Sequence, residues 1–546
     1  MISNPLSASK AFVLLLPLLF MGCTKDPSDS SNQTKAGSDG PPNQTTQVVR
    51  QDGNAAAGRD IFRLETFGNE GYWTDAIRLP AGVKAAKVTP LQALKLGLNV
   101  DVDALDAATR EALTQQLKTD PSGQSSTILN DPDTTAKLIS ANAIIGMPIV
   151  DSNKDGVLDI NKGDKAGVSC ALCHTITDES VLSLPNGGSI GHRLDGRANH
   201  RLNIGTIIAT GTNSRAFFPM LQLALKANGG KTFGRAPQGL TAVSSEADVD
   251  AYLSNPQYYP PGMFDDTPDG NGNPMHNTPF FRQDLAAPYG SEGAVAKLDN
   301  FSNLIFTALF DPTNLTTAGG RAFLHTLAGP AGDEIADDYV KVLAATGVKG
   351  YPFVKAAPHA KPGSEDAPVG IRVDNTKLLD LNAYLVSLAA PAGAQVDARL
   401  AAHGRQLFRT VGCTSCHNVD QSKPVPSFIV PMKQIFPGDN PVVLAQRMPP
   451  LNPIMDTPGN TFDDKMAVLN ASIRGEIRGI ALPLLLDLAR KPVFLHDNSV
   501  PSLDNLFDPK RGSAAPHPFY LSESSDRKDM VEFLRGLDTN SSGDKR

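Results

Sequence analysis

Two short stretches constrain this chain more than any other part of it. "GVSCALCHTITD" contains Cys170-Ala171-Leu172-Cys173-His174, and "GCTSCHNVD" contains Cys413-Thr414-Ser415-Cys416-His417. The 546-residue chain has five cysteines, so the two motifs use four and leave Cys23 alone near the N-terminus. Three chemistries use a C-x-x-C pair. A redox dithiol needs one pair beside a strand–helix unit and no fixed histidine after it. A structural zinc site needs four ligands close together, and these pairs lie more than two hundred residues apart. Covalent haem attachment needs both thiols and the histidine in this order: the thiols form thioethers on one porphyrin edge, and the histidine reaches the iron. The motifs therefore predict two haem c groups, attached at Cys170, Cys173, Cys413 and Cys416, with His174 and His417 as proximal ligands. A zinc-bridged scaffold is the non-haem alternative, and it predicts a colourless protein.

The compartment follows from the N-terminus. Lys10 precedes "AFVLLLPLLFMGC", an apolar run short for a bilayer span. Residues 1–23 resemble a bacterial lipoprotein signal ending at Gly22-Cys23, with Cys23 as the lipidated residue; plain secretion is the alternative. Residues 24–52 are rich in Ser, Gln, Thr, Gly and Pro and read as a disordered tether. The expected location is the periplasmic side of a bacterial membrane, on a lipid anchor, with the outer membrane or cell surface also open. The formal net charge is −7, which offers no basic footprint for nucleic acid.

The flanks of the motifs repeat. Gly58-Arg59-Asp60-Ile61-Phe62-Arg63 matches Gly404 through Arg409, and Tyr384, Leu385 and Leu388 match Phe533, Leu534 and Leu537. Each set reads as a helix before its motif and a helix after it. The expected fold is mainly α, with two cytochrome c-like haem domains at 53–392 and 393–540 and a tail at 541–546. The first domain carries long loop-rich insertions on both sides of its motif. Those insertions either build a specific activity or only shield the haem.

This arrangement resembles the di-haem cytochrome c peroxidase superfamily, which includes the methylamine-utilisation di-haem enzyme and di-haem rubber oxygenases. Two motifs carry the resemblance, and "ARKPVFLHDNSVPSLDNLF" carries it further, with Asn498 where the family has glycine. The match is good over the second domain and leaves the insertions of the first uncovered. The resemblance implies a six-coordinate relay haem at the C-terminal motif and an open or openable reactive haem at the N-terminal one. It also implies a distal ligand shortly before the last helix, where His517 stands; Met432, Met448 and Met455 are alternatives. His496, with Asp497 and Ser499 beside it, reads as a hydrogen-bonded neighbour of that pocket or as merely structural.

Other candidates are weaker. For the first haem, "IGHRLDGRANHRLNIG" offers His192 as distal ligand, with His200 and Met147 behind it. Arg193, Arg197 and Arg201 around Asp195 suit haem propionates or form a solvated cluster. Trp73 is the sole tryptophan, either an electron-transfer aromatic between haems or a core residue. Asp151, Asn153, Asp155, Gly156 and Asp159 follow calcium-loop spacing, although Lys162 replaces the bidentate acid and Asp164 would have to substitute; a solvated turn is the alternative. "DDTPDGNGNP", starting at Asp265, is a weaker copy. Phe280 and Phe281 would line the apolar channel that a rubber-oxygenase-like enzyme needs. The functional expectation is an exported di-haem oxidoreductase that exchanges electrons with small redox proteins and reduces peroxide or activates dioxygen at the first haem. A pure electron carrier with two six-coordinate haems is the rival.

Overall fold

Asn54 begins the first helix because its side chain accepts from the backbone N–H of Ala56 and Ala57, at 2.9 and 3.3 Å, filling donors that a helix start leaves unpaired. In the computed structural model this helix, α1, covers Ala55–Leu64. It packs along α2, Asn375–Ser387, which Asp374 caps in the same way. The crossing is close at Gly58, where a Cβ would lie 1.8 Å from the Asp380 carbonyl oxygen. One turn on, Phe62 meets Tyr384 edge to face at 5.5 Å.

The same construction recurs. α3, Ala398–Thr410, is capped by Asp397 and packs along α4, Ser524–Arg535. A Cβ on Gly404 would lie 2.0 Å from the Asp529 carbonyl oxygen, and Phe408 meets Phe533 edge to face at 5.5 Å. The repeat legible in the sequence is thus one helix crossing built twice, with a glycine at the close approach and an aromatic pair beside it.

The structure describes residues 53–286, 289–290, 295, 297–358, 366–413, 417, 429–431, 479–481, 483–495, 498–512, 517 and 519–538, all within one compact unit spanning Thr46–Arg546. The fold is mainly α; its strands are two or three residues long. One apolar cluster runs from Ile61 to Val386 and a second from Phe408 to Leu537. Phe281, Ala390 and Leu486 form a small cluster of their own. The stretches expected to be loop-rich hold much of the helix, including Pro330–Ala345, the longest among the described residues. Prolines help begin these helices: Pro90, Pro132 and Pro330 sit in first helical turns, where a missing N–H costs nothing. Among the described residues no helix is long and apolar enough to cross a membrane.

Candidate functional site

The first motif is a single helical turn, Ala171–His174, that stops where Thr175 becomes extended. The chain enters strand β1, Thr175–Thr177, paired antiparallel with β2, Arg193–Asp195. Asp195 fixes this corner. Its carboxylate accepts from Arg63 Nε of α1 at 2.6 Å, the Tyr384 hydroxyl of α2 at 2.6 Å and the Thr175 hydroxyl at 2.9 Å. The Ser169 hydroxyl donates to the Arg63 carbonyl at 2.8 Å, and the carbonyls of Cys173 and His174 accept from Asn199 and Gly196, each at 2.8 Å. The motif is therefore held on both sides by the helix pair that flanks it.

The His174 ring keeps one nitrogen available. Nδ1 lies 2.7 Å from the Thr278 carbonyl oxygen; a carbonyl only accepts, so Nδ1 carries the proton and Nε2 the lone pair. The ring stacks on Phe280 at 3.6 Å between centres. Burial pushes its pKa down to about 4, against the raising effect of the Thr278 carbonyl, so it is neutral at ordinary pH. Burial also pushes the Cys170 and Cys173 thiols up to about 12, which makes them poor redox thiolates.

At the second motif Cys413 is buried at the end of α3 and its carbonyl accepts from His417 N at 2.8 Å; Cys416 lies outside the described residues. The His417 and His517 rings are neighbours, with centres 6.2 Å apart and planes at 52°. A metal–imidazole bond of about 2 Å on each side, plus about 1 Å from nitrogen to ring centre, spans about 6 Å. The observed gap therefore fits one metal ion between the two rings. Neither Nδ1 has a hydrogen-bond partner among the described residues. Burial pushes the His417 pKa down to about 4. For His517 burial, then the charges of His417 and Arg511, push it to about 3.

Both motifs open on one cavity of about 490 Å³. Its walls are largely apolar, with Phe280, Phe281, Leu385, Phe408, Leu486 and Phe507 among them. His174, His417, His517 and Lys491 keep some accessible surface. That surface is cavity wall; protein atoms enclose them otherwise. Paired thiols, imidazoles with an available nitrogen and apolar walls suit a flat apolar macrocycle carrying a central metal.

Several expected site residues stand elsewhere. His192 is not at the cavity: its side chain is 57% exposed and Nδ1 lies 2.8 Å from Asp103 Oδ2, because it directly precedes β2 on the outer side of the hairpin. Arg193 is an internal pin, bonded to Asp101 and to the Asn142 carbonyl. Arg197 is half-buried, with burial, then Asp487 and Arg490, acting on it. Arg201 reaches Glu179 and the Gly187 carbonyl. Trp73 is 2% exposed, packs edge to face on Tyr72 and belongs to the first apolar cluster; it is a core aromatic and does not line the cavity. Met147 is likewise core.

The calcium loop is closed by its own hydrogen bonds. Asp164 turns inward and accepts from the backbone of Ser152, Asn153 and Asp159, while Lys162 pairs with Asp159. Asp155 accepts from Val157, and Asp151 from Gly156. Among the described residues no three His, Cys, Asp or Glu side chains converge to hold a metal ion; of the residues expected to bind calcium, Asn153, Asp155 and Asp159 turn oxygens to the loop's own amides, and Asp151 Oδ1 is buried with no hydrogen-bond partner among the described residues. Asn498 adopts φ +57°, a left-handed conformation that asparagine tolerates. Cys23, Met432, Met448, Met455, His496 and Asp497 lie outside the described residues.

No protein-family model matches the chain, and no curated protein matches it. Among solved structures, Kuenenia stuttgartiensis hydrazine synthase, pressurised with xenon, aligns over 49% of this chain and 74% of its own at 14% identity, with a TM-score of 0.24. A likeness this slight carries no argument.

Sequence reasoning missed the Thr278 carbonyl, the Phe280 stack on His174, and a contact between Lys491 Nζ and His276 Nε2 at 3.0 Å in the cavity wall. None has a local pattern, since each joins segments about a hundred or more residues apart.

Proposed function

We propose that this chain is a two-haem c-type redox protein, with haem attached at Cys170/Cys173 and Cys413/Cys416 and ligated by His174 and His417. The observation that carries the reading is that both C-x-x-C-H turns open on one apolar cavity, one with its ligand tautomer set by Thr278 and the other facing a second histidine at metal-spanning distance. Bound haem supplies a one-electron couple at each motif. The chain orients the two imidazoles, excludes water with the phenylalanine and leucine walls, and gives the second site a second strong ligand in His517.

The two sites differ. His174 has no facing histidine ring among the described residues; its stacked partner is Phe280. That asymmetry favours an oxidoreductase whose second haem relays electrons and whose first haem meets a small oxidant, over a carrier with two closed sites. Peroxide is the proposed oxidant: it takes two electrons and two protons to give two waters, and small redox proteins supply the electrons. Dioxygen activation on an apolar substrate is a second reading, favoured by Phe280 and Phe281 in the cavity wall. Export and lipid anchoring at Cys23 are part of the proposal, from the N-terminal segment alone.

The test is haem content and mass of the purified protein, then EPR. Two haems per chain, one low-spin and one high-spin, with the high-spin signal moving on peroxide or cyanide, is the expected result. Two low-spin haems indifferent to both would leave a carrier; no covalent haem would remove the reading.

A further inference from the structure

The cavity wall holds a cation, Lys491, with no carboxylate paired to it among the described residues. Lys491 follows the turn Asp487–Arg490. Arg490 has Asp487 and the Ala392 carbonyl for partners. Among the described residues Lys491 forms no ion pair, and its bond is to His276 Nε2 at 3.0 Å. Asp266 lines the same cavity without pairing with it. The same ammonium lies 6.0 Å from the centre of the Phe494 ring, but neither an imidazole nor a ring face neutralises an enclosed cation, which stays costly until an anion completes it; burial accordingly drives the Lys491 pKa down to about 8. The fold also shows which motif this group serves. His276 ends strand β4, Met275–His276, which pairs with β3, Met263–Phe264. Two residues later the Thr278 carbonyl holds His174. Beside His276, with ring centres 6.4 Å apart, stands His200, whose pKa burial, then the Lys491 charge, pushes down to about 4.

We propose that Lys491, presented by His276, is a carboxylate-binding post on the His174 side of the cavity, and that its ligand is a propionate of the haem attached at Cys170 and Cys173. The proposal rests on the haem reading above. The same chemistry would also take a free small carboxylate entering the cavity, and the experiment separates the two sources.

The experiment is potentiometric titration of the haem-loaded full chain, with EPR reading the two haems apart, for wild type, Lys491→Met and Lys491→Arg; Lys491→Gln serves where Met fails to fold. Removing a positive charge beside a haem disfavours the added electron. Lys491→Met is therefore expected to lower the first haem's reduction equilibrium about tenfold, about 59 mV for one electron. The second haem should be unchanged and Lys491→Arg should stay near wild type. Acetate should leave the wild-type spectrum unaltered, because the post is already filled. An unmoved first haem in Lys491→Met overturns the proposal. So does saturable acetate binding in wild type that Lys491→Met abolishes, which would make the post a free-anion site. Haem content is measured on the same samples: a wild type without haem would defeat the haem reading itself, whereas two haems with no shift defeats only the role of Lys491.

Discussion

Asp195→Ala tests whether the first motif is held by its flanking helices. The Asp195 side chain is 3% exposed and accepts from Arg63, Tyr384 and Thr175. Removing one partner of a buried, hydrogen-bonded charge pair costs about 3–5 kcal/mol. Arg63, 29% exposed, recovers water on one side, which places the loss toward about 3 kcal/mol. The Tyr384 hydroxyl, whose pKa burial, then the Asp195 charge and hydrogen bond, raise, loses its acceptor; an unmet buried hydroxyl adds about 1–3 kcal/mol, overlapping with the first loss. A total of about 4 kcal/mol, over an unfolding entropy of about 2.1 cal/mol/K per residue and some five hundred residues, lowers Tm by about 4 °C. The assay is calorimetry of the haem-loaded protein with EPR on the same samples. Asp195→Asn, which keeps an acceptor but not the charge, should fall between. Because Arg63 also receives Ser169 and Thr175 directly follows His174, the first haem's signal should change and the second's should not. A Tm within about 1 °C of wild type, or equal disturbance of both haems, would refute the reasoning.

Three further outcomes follow from the same geometry. His517→Ala should turn the second haem from low-spin to high-spin in EPR without touching the first, since the ring facing His417 at 6.2 Å is gone; a low-spin signal that persists would assign the ligand elsewhere. Gly404→Ala forces a Cβ against the Asp529 carbonyl and should cost about 1–3 kcal/mol by overpacking, read by denaturant unfolding, with Gly58→Ala behaving alike at the other crossing. Asp164 has its carboxyl held below the usual range by the Asp159 amide, assisted by those of Ser152 and Asn153. A lowered folded-state pKa means its contribution is present above about pH 4 and is lost as pH falls through the folded value. Asp164→Ala should therefore be less stable than wild type at pH 7 and indistinguishable from it in strong acid, with added calcium changing neither; equal instability at both pH values would be evidence against the reasoning.

How far the sequence reached depended on whether the relevant partners were neighbours along the chain. Attachment chemistry is local: two thiols and an imidazole within five residues carry their meaning wherever they fold. The flanking helices and their repeat were nearly as legible; that Gly58 and Gly404 mark the close approach of each pair is visible only in the fold, where a small residue is what the crossing demands. The calcium loop shows why spacing alone is insufficient. Oxygen-bearing side chains recur there at the right intervals, but Asp164 points inward and accepts from the loop's own amides, which have no strand to supply an acceptor. His192 failed for a related reason: beside a three-residue pairing, one step along the strand exchanges the inner face for the outer one, and nothing local sets which step faces the cavity. The residues that finish the first site come from further away still. Thr278 decides which nitrogen of His174 is available, and Lys491 brings a charge to the same wall from the far end of the chain. Both depend on the path of the intervening insertion, so a single sequence read without its fold gives the candidate histidine but not the groups placed around it.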